Sequence, residues 1–197
     1  YGELGDGSLT SHGVPLKVTG LPAIAAAAAG EQHSVAAARD GQVWAWGSNE
    51  DGRLGSGSVD TERSLVPLPV VDLTDVVDVR AGKAHSLALT RAGVVLAWGR
   101  NVRGQLGDST GTRRSRPVPV DFPTPAPKIV AIDAAGDQSF AQDDQGRLWT
   151  WGENQYHQLG ESVYDFRTYP LYLTALAAAG PVRNFAVGPA GGAAVLG

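Results

Sequence analysis

The stretch HSVAAARDGQVWAWGSNEDGRLG, His33 to Gly55, returns as HSLALTRAGVVLAWGRNVRGQLG, His85 to Gly107, and again as SFAQDDQGRLWTWGENQYHQLG, Ser139 to Gly160. Several landmarks keep the same beat. The Trp-Gly pairs begin at Trp46, Trp98 and Trp151, and the glycines ahead of the first copied strand are Gly30, Gly82, Gly136 and Gly188. Leu-Gly pairs begin at Leu4, Leu54, Leu106 and Leu159, and prolines open short apolar runs at Pro15, Pro67, Pro117 and Pro170. All of these recur every 50 to 54 residues. A period of this size marks a supersecondary unit that cannot bury its apolar face alone and relies on a stacked neighbour.

Within one unit, Leu87–Leu89, the turn Arg91-Ala92-Gly93 and Val94–Trp98 form a tight hairpin of two apolar runs, with Asp40-Gly41 filling the same turn one copy earlier. A Gly-rich loop, a strand starting at the proline and a last strand such as Val76-Val77-Asp78-Val79 complete four strands. Proline cannot donate to a sheet ladder, which puts the third of these runs at the outer edge. Four antiparallel strands in about 50 residues describe a β-propeller blade. The expected fold is therefore all-β, a partial β-propeller of about 3.8 repeats, with units near 1–29, 30–81, 82–135, 136–187 and a truncated 188–197. The alanine run Ala25–Ala29 has the composition of a helix, but its register with Val77–Ala81 and Arg183–Val187 reads as the outgoing strand of a blade. The Pro-rich stretch Pro117–Pro127 lies inside the period and reads as an inter-strand loop.

The combination of Ala-Gly-x-x-His-Ser (Ala29–Ser34, Ala81–Ser86) with Trp-Gly-x-Asn-x-x-Gly-x-Leu-Gly (Trp46–Gly55, Trp98–Gly107) resembles the regulator of chromosome condensation repeat. The resemblance covers nearly the whole chain and implies a propeller of seven blades. It also implies protein recognition, which in different members takes the form of guanine-nucleotide exchange on a small GTPase, chromatin binding or inhibition of a target enzyme. The third copy places Ser139-Phe140 where His-Ser stood, and the fourth reads Gly188-Pro189-Ala190-Gly191-Gly192. A role for the histidine therefore cannot hold in every blade.

The 197 residues carry a net charge of −4, 18% charged residues and no cysteine. This excludes a disulfide frame and a thiolate metal site, and it gives no basic footprint for nucleic acid. No apolar run reaches the length of a bilayer span, so no membrane partner is expected. The chain has no methionine and starts and stops inside a unit. It reads as an excerpt, its open edges completed by missing chain, a fused neighbour or a second copy.

Candidate chemistry is sparse. His33-Ser34 and His85-Ser86 are adjacent on strands and point to opposite faces, so neither pair can act as a catalytic dyad; the histidines read as ties between neighbouring loops. Gly107-Asp108-Ser109-Thr110-Gly111 fits G-x-S-x-G but lacks the strand before and helix after that a nucleophile elbow needs. His12, His33, His85 and His157 have no ligand-type partner at helical spacing, so no metal or cofactor is expected. Asn49, Asn101 and Asn154 read as loop organisers, Gly52 and Gly104 as left-handed turn residues, and Gly47, Gly99 and Gly152 with their tryptophans as structural repeats. One basic cluster, Arg100, Arg103, Arg113, Arg114 and Arg116 against Asp108, would suit an acidic protein or phosphate.

The sequence reading is thus a non-enzymatic protein-binding scaffold, the alternatives being a regulatory or accessory propeller domain of a larger protein, or an exchange factor. Exchange would need a wedge inserted in a blade, for which the constant period leaves no room in these units, so that a wedge would lie in the missing blades. Two strand reversals bring the loop after Trp-Gly to the same side as the loop entering the next blade. That side carries the copy-specific residues Glu50, Asp51, Arg53, Arg100, Val102, Arg103, Glu153, Gln155, Tyr156 and His157, with Glu31, Gln32, Lys83, Asp137 and Gln138 beside them. Tyr156, Arg103 and Arg53 are the expected anchors, tyrosine and arginine being the types enriched at interface hot spots.

Overall fold

The computed structural model describes residues 1–58, 62–162, 165–174 and 180–188, with the backbone of 191–196. The first sheet is β1 (Ile24–Ala29), β2 (His33–Ala38), β3 (Val43–Ser48) and β4 (Arg63–Pro69). The second is β5 (Val76–Ala81), β6 (His85–Thr90), β7 (Val95–Gly99) and β8 (Arg114–Pro119), and the third β9 (Ile129–Ala135), β10 (Gln138–Asp143), β11 (Leu148–Glu153) and β12 (Phe166–Tyr172). A fourth begins with β13 (Val182–Gly188) and β14 (Gly191–Leu196). Strands pair antiparallel in simple chain order in every sheet. Helix contributes little, a short 3-10 turn spanning Glu50–Gly52. The fold is the all-β partial propeller that the repeat requires.

Ala25–Ala29 is extended, as its register demanded: Ala26 to Ala29 pair with Ala37 to Ser34. Its place in the sheet differs from the expectation. β1 opens the first sheet, and Val76–Val79 belongs to β5, which opens the second. The fourth strand assigned to each unit therefore belongs to the next sheet. The physical reason is turn length. Gly30 to Gln32 reverses the chain tightly from β1 to β2, whereas Val70–Asp75 carries the chain away from β4, with Asp72 and Asp75 at positive φ. A periodic sequence cannot say where to cut its own circle. The prolines are also corrected: Pro67, Pro117 and Pro170 lie inside β4, β8 and β12, whose first residues come three or four positions earlier. These strands are the sheet edges, where a missing N–H is tolerated.

The first strands lie innermost. β1 packs beside β5, β5 beside β9, and β9 beside β13. The turns Ala29–Glu31, Ala81–Lys83 and Ala134–Gly136 line one concavity of about 460 Å³. The apolar core sits between sheets. One cluster joins Val35, Val43 and Leu54 to Leu73, Val79 and Trp98, and a second joins Leu87, Val95 and Leu106 to Ile132, Trp149 and Trp151. Each sheet thus buries its faces against its neighbours, at about 1.5 to 3 kcal/mol for each large side chain fully removed from water. Leu106 is fully buried while Val94 is about half exposed. Leu106→Ala should cost about 2–5 kcal/mol in urea unfolding, and Val94→Ala about 0.5 kcal/mol or less.

Candidate functional site

The repeat motif resolves into one polar tie between adjacent sheets. The backbone carbonyl of Arg53, in the loop after β3, accepts from Trp98 Nε1 at 2.9 Å and from Ser86 Oγ at 3.3 Å, both in the second sheet. His33 of the first sheet lies 3.0 Å from the same Ser86 Oγ. One sheet later the carbonyl of Gln105 accepts from Trp151 Nε1 at 3.0 Å and Ser139 Oγ at 2.7 Å, and His85 Nε2 lies 2.8 Å from Ser139 Oγ. At the near end the carbonyl of Glu3 takes Trp46 Nε1 at 2.8 Å and Ser34 Oγ at 2.9 Å. The histidine therefore reaches the serine of the following sheet, and the serine adjacent in sequence serves the preceding one.

The proton count fixes the tautomer. A carbonyl can only accept, so the one hydroxyl proton of Ser86 goes to Arg53 and His33 must donate from Nε2. His33 Nδ1 and His85 Nδ1 are accordingly left bare, buried and without a hydrogen-bond partner. Both rings are fully buried. Desolvation, joined by the positive charge of Arg53 and by His85, pushes His33 down to about 3, and burial pushes His85 down to about 3. Neutral imidazoles held through Nε2 and shut off from solvent are structural ties between sheets.

The third sheet corrects the alignment of its motif. Gln138 pairs with Gly152 as His33 pairs with Gly47 and His85 with Gly99, and Ser139 pairs with Trp151 as Ser34 and Ser86 pair with Trp46 and Trp98. Gln138 thus holds the histidine position and Ser139 the serine position. The turn is of equal length, Ala134 pairing with Ser139 as Ala81 pairs with Ser86, but Ala135 stands where Gly30 and Gly82 stand and Gly136 comes one position later, so counting from the glycine shifts the rest of the motif by one position. Residues Pro189 and Ala190 of the fourth copy lie outside the described residues. The glycine of Gly-x-x-His is required by close approach: a Cβ on Gly82 would meet the His85 ring, at 2.6 Å from Nδ1, and the Gly136 carbonyl at 2.8 Å. Gly47, Gly99 and Gly152 all take positive φ against the backbone of the first turn.

The loop after each Trp-Gly is built on its asparagine. Oδ1 of Asn49, Asn101 and Asn154 accepts from the amides of Leu54, Leu106 and Leu159 at 3.1, 3.0 and 2.9 Å. Their Nδ2 groups donate across the loop to Ser58, Thr110 and Glu161 carbonyls. In the G-x-S-x-G stretch, Ser109 donates to Asp121 in a loop at the outer edge, with neither the strand nor the helix of a nucleophile elbow around it.

Because strands alternate in direction, these loops emerge at the same sheet ends as the turns before β2, β6 and β10. Ser48, Arg100 and Glu153 amides bond the carbonyls of Gln32, Ala84 and Asp137 at 2.8, 2.9 and 2.9 Å. The residues on this face divide sharply. Tyr156 is 83% exposed, and Val102, Glu50, Gln155 and His157 are exposed. Arg53 is only 4% exposed; its Nε donates to Glu50 O, with Glu50 and Asp51 carboxylates at 3.7 and 3.9 Å, and burial lowers its pKa. The basic cluster is largely occupied in ion pairs. Arg114 pairs with Asp108 at 2.8 Å, Arg116 with Asp72 at 2.7 Å, Arg113 with Asp51 at 3.7 Å and Arg103 with Glu153 at 3.9 Å. Lys83 and Glu31 face each other at 3.8 Å, and Gln105 donates to Asp137 at 2.8 Å. Arg114 is thus paired within the second sheet's own loop, while Arg113, Arg103 and Lys83 meet anions of the first and third sheets.

A family model described as the regulator of chromosome condensation (RCC1) repeat matches residues 40–89, 92–142 and 145–195, and a second model of the same repeat matches 24–53 and 76–105. The chain belongs to the regulator of chromosome condensation repeat family. It is similar to the mitochondrial RCC1 domain-containing protein RUG3 of Arabidopsis thaliana, 37% identical over 166 residues that make up 83% of this chain and 37% of that protein. It is also similar to the ultraviolet-B receptor UVR8 of Arabidopsis thaliana, at 31% identity over 79% of this chain and 35% of that protein. Among solved structures, yeast RCC1 (Prp20) bound to Kap60 superposes with a TM-score of 0.74 at 24% identity, covering 86% of this chain and 41% of that one. The RCC1-repeat chain thus spans well under half the length of these relatives, and the likeness to Prp20 shows the shared fold.

Two outcomes test the tie. The unfolded chain protonates its histidines near pH 6.5, while His33 and His85 stay neutral in the fold down to about 3. The unfolded state therefore binds more protons through this window, and stability should fall as pH drops from about 6.5 toward 3, with a limiting slope of about 1.4 kcal/mol per pH unit per histidine. Urea midpoints between pH 5.5 and 7 should be flatter in His85→Gln, glutamine being the residue the third sheet uses at that register. Gly82→Ala should cost about 1–3 kcal/mol through overpacking, read in the same assay.

Proposed function

We propose that this RCC1-repeat chain is a non-enzymatic protein-binding scaffold that uses the face formed by the loops after β3, β7 and β11. The observation that carries this reading is the contrast within one loop: the asparagine, leucine and carbonyl that build it are buried and repeated, whereas the residue at its tip changes from Asp51 to Arg103 to Tyr156 and reaches 83% exposure at Tyr156. A repeated frame with a variable, exposed tip is the arrangement by which a rigid scaffold displays specificity. Tyr156, Arg103, Arg100 and Glu50 are the contacts proposed; Arg53 acts through its carbonyl as a positioning residue.

A regulatory propeller within a larger protein is the second reading, supported by 29% identity to human E3 ubiquitin-protein ligase HERC2 over a stretch that makes up 4% of that protein. The completion of the propeller by further chain, a fused neighbour or a second copy is supported by Leu4, 47% exposed where its counterparts Leu54, Leu106 and Leu159 are 0%, 0% and 1%. Light scattering of the isolated chain as a stable monomer would count against that completion. For the face, a photo-crosslinking residue placed at Tyr156, Val102 or Glu50 should capture a partner from an extract of the source organism, while one at Ala92 or Asp144, on the opposite turns, should not. Tyr156→Ala should weaken the isolated complex by about 2 kcal/mol; equal capture from both ends would overturn the choice of face.

A further inference from the structure

The strands β4, β8 and β12 are the outer edges of their sheets, and an unguarded edge is a template for a further strand. Their first halves are covered by the preceding loop: the carbonyls of Leu65, Ser115 and Thr168 accept from the amides of Gly7, Gly57 and Ser109 at 2.9, 2.8 and 2.8 Å. The second halves differ. Trp44 pairs with Pro69, Leu96 with Pro119 and Trp149 with Tyr172. In each sheet the next residue donates inward, Val70 to Val43 O, Val120 to Val95 O and Leu173 to Leu148 O, at 2.8, 3.0 and 2.9 Å. Inward and outward groups alternate along an antiparallel strand, so the residue before it turns its backbone N and C=O outward. In the first two sheets that nitrogen belongs to proline and carries no hydrogen. The matching run ahead of the first sheet, Pro15-Leu16-Lys17, has lysine there. Proline and lysine are residues that guard edges; Tyr172 instead presents a donor and an acceptor together.

The side chains of β12 change with the backbone. Phe166 pairs with Glu153 as Arg63 pairs with Ser48, and Tyr169 precedes the shared proline where Val66 and Arg116 precede theirs. Phe166 is 40% and Tyr169 46% exposed, and with Asp165, Arg167 and Thr168 they line a shallow hollow of about 440 Å³. The tyrosine rings are held in place. Arg167, itself paired with Glu161, donates from Nη1 to the Tyr169 hydroxyl at 2.9 Å, and Tyr172 lies 5.7 Å from the Trp149 ring. A ring already fixed loses little freedom on binding. The cations beside these rings are paired, Arg167 with Glu161 and Arg147 with Asp143, so the edge offers no excess positive charge to an acidic segment.

We infer that the second half of β12 is a docking edge on the rim, separate from the loop-tip face, that takes an extended, apolar-rich segment of a protein partner as a fifth strand. The main chain of that segment pairs with the outward N–H and C=O of Tyr172, and its apolar side chains lie against Tyr172 and Tyr169. The first two sheets close the same edge with proline. Rim recognition is thereby confined to the third sheet.

The probe is a displayed library of random peptides, selected on the whole chain after depletion on Tyr172→Pro, the residue that the first two sheets carry at this register. Selected peptides should be apolar-rich and should bind Tyr172→Phe, which keeps the amide, within about twofold of the unaltered chain. Tyr172→Pro should bind them about tenfold more weakly, the effect of one main-chain hydrogen bond left unmade, and Tyr169→Ser should also weaken them. On the unaltered chain, saturating peptide should slow exchange of the Tyr172 amide at least about tenfold; this measurement decides the matter should Tyr172→Pro not fold. A library that returns no binder, peptides held equally by Tyr172→Pro, or a Tyr172 amide that peptide leaves unprotected would overturn the inference. So would protection that grows with the concentration of the chain alone, which assigns the edge to a second copy.

Discussion

One carbonyl oxygen per repeat decides how the sheets of this protein stand to one another. Arg53 O and Gln105 O each project from the end of one sheet's loop and accept both an indole and a hydroxyl from the next. A buried carbonyl left unpaired costs about 1–3 kcal/mol, and its two lone pairs are filled only when the neighbouring sheet sits at one distance and one rotation. The apolar clusters between sheets would tolerate some sliding. The polar tie does not.

That tie also explains why the surface can vary. The loop is pinned from within by asparagine, from beneath by its buried leucine and from the side by the next sheet's tryptophan. No contact common to the three loops fixes the tip, and Asp51, Arg103 and Tyr156 occupy it in turn. The ion pairs across this face, such as Arg103–Glu153 and Lys83–Glu31, are partly exposed and each contribute little, about 0–1 kcal/mol. Their effect is to neutralise charge locally, so the face carries less net positive potential than its arginines alone would give it. The arginine-rich segment reads as a basic patch only while its partners in neighbouring sheets are unseen.

Much of the fold was legible because a period of about 52 residues is a strong signal and register can overrule propensity. The alanines of β1 are the clearest case: their composition favours helix, their alignment with Val77–Ala81 requires a strand, and β1 is a strand. The cut between blades was not legible, since a tight turn and a long connection look alike in a repeat that runs on without a break. The register of Gln138 was lost for a related reason: the glycine used as a ruler sits one position later in the third turn, where Ala135 takes the place of Gly82. Serine proved to be as much a part of the motif as histidine, and its role was hidden because its partner lies 53 or 54 residues away.

By itself the sequence determined that the chain is a stack of equivalent four-stranded units, which residues are buried landmarks, and that neighbouring histidine and serine cannot act on each other, because alternation along a strand sends them to opposite faces. Only the tertiary structure decided what each of those residues meets: that His33 is tied to Ser86 and His85 to Ser139, that Arg53 is enclosed while Tyr156 is open to solvent, and that the basic loop is neutralised by its neighbours. Periodicity encodes what is the same in every sheet. The contacts that set how the sheets stand to one another lie between them, where side chains one period apart converge in space, and no local pattern records the distance between them.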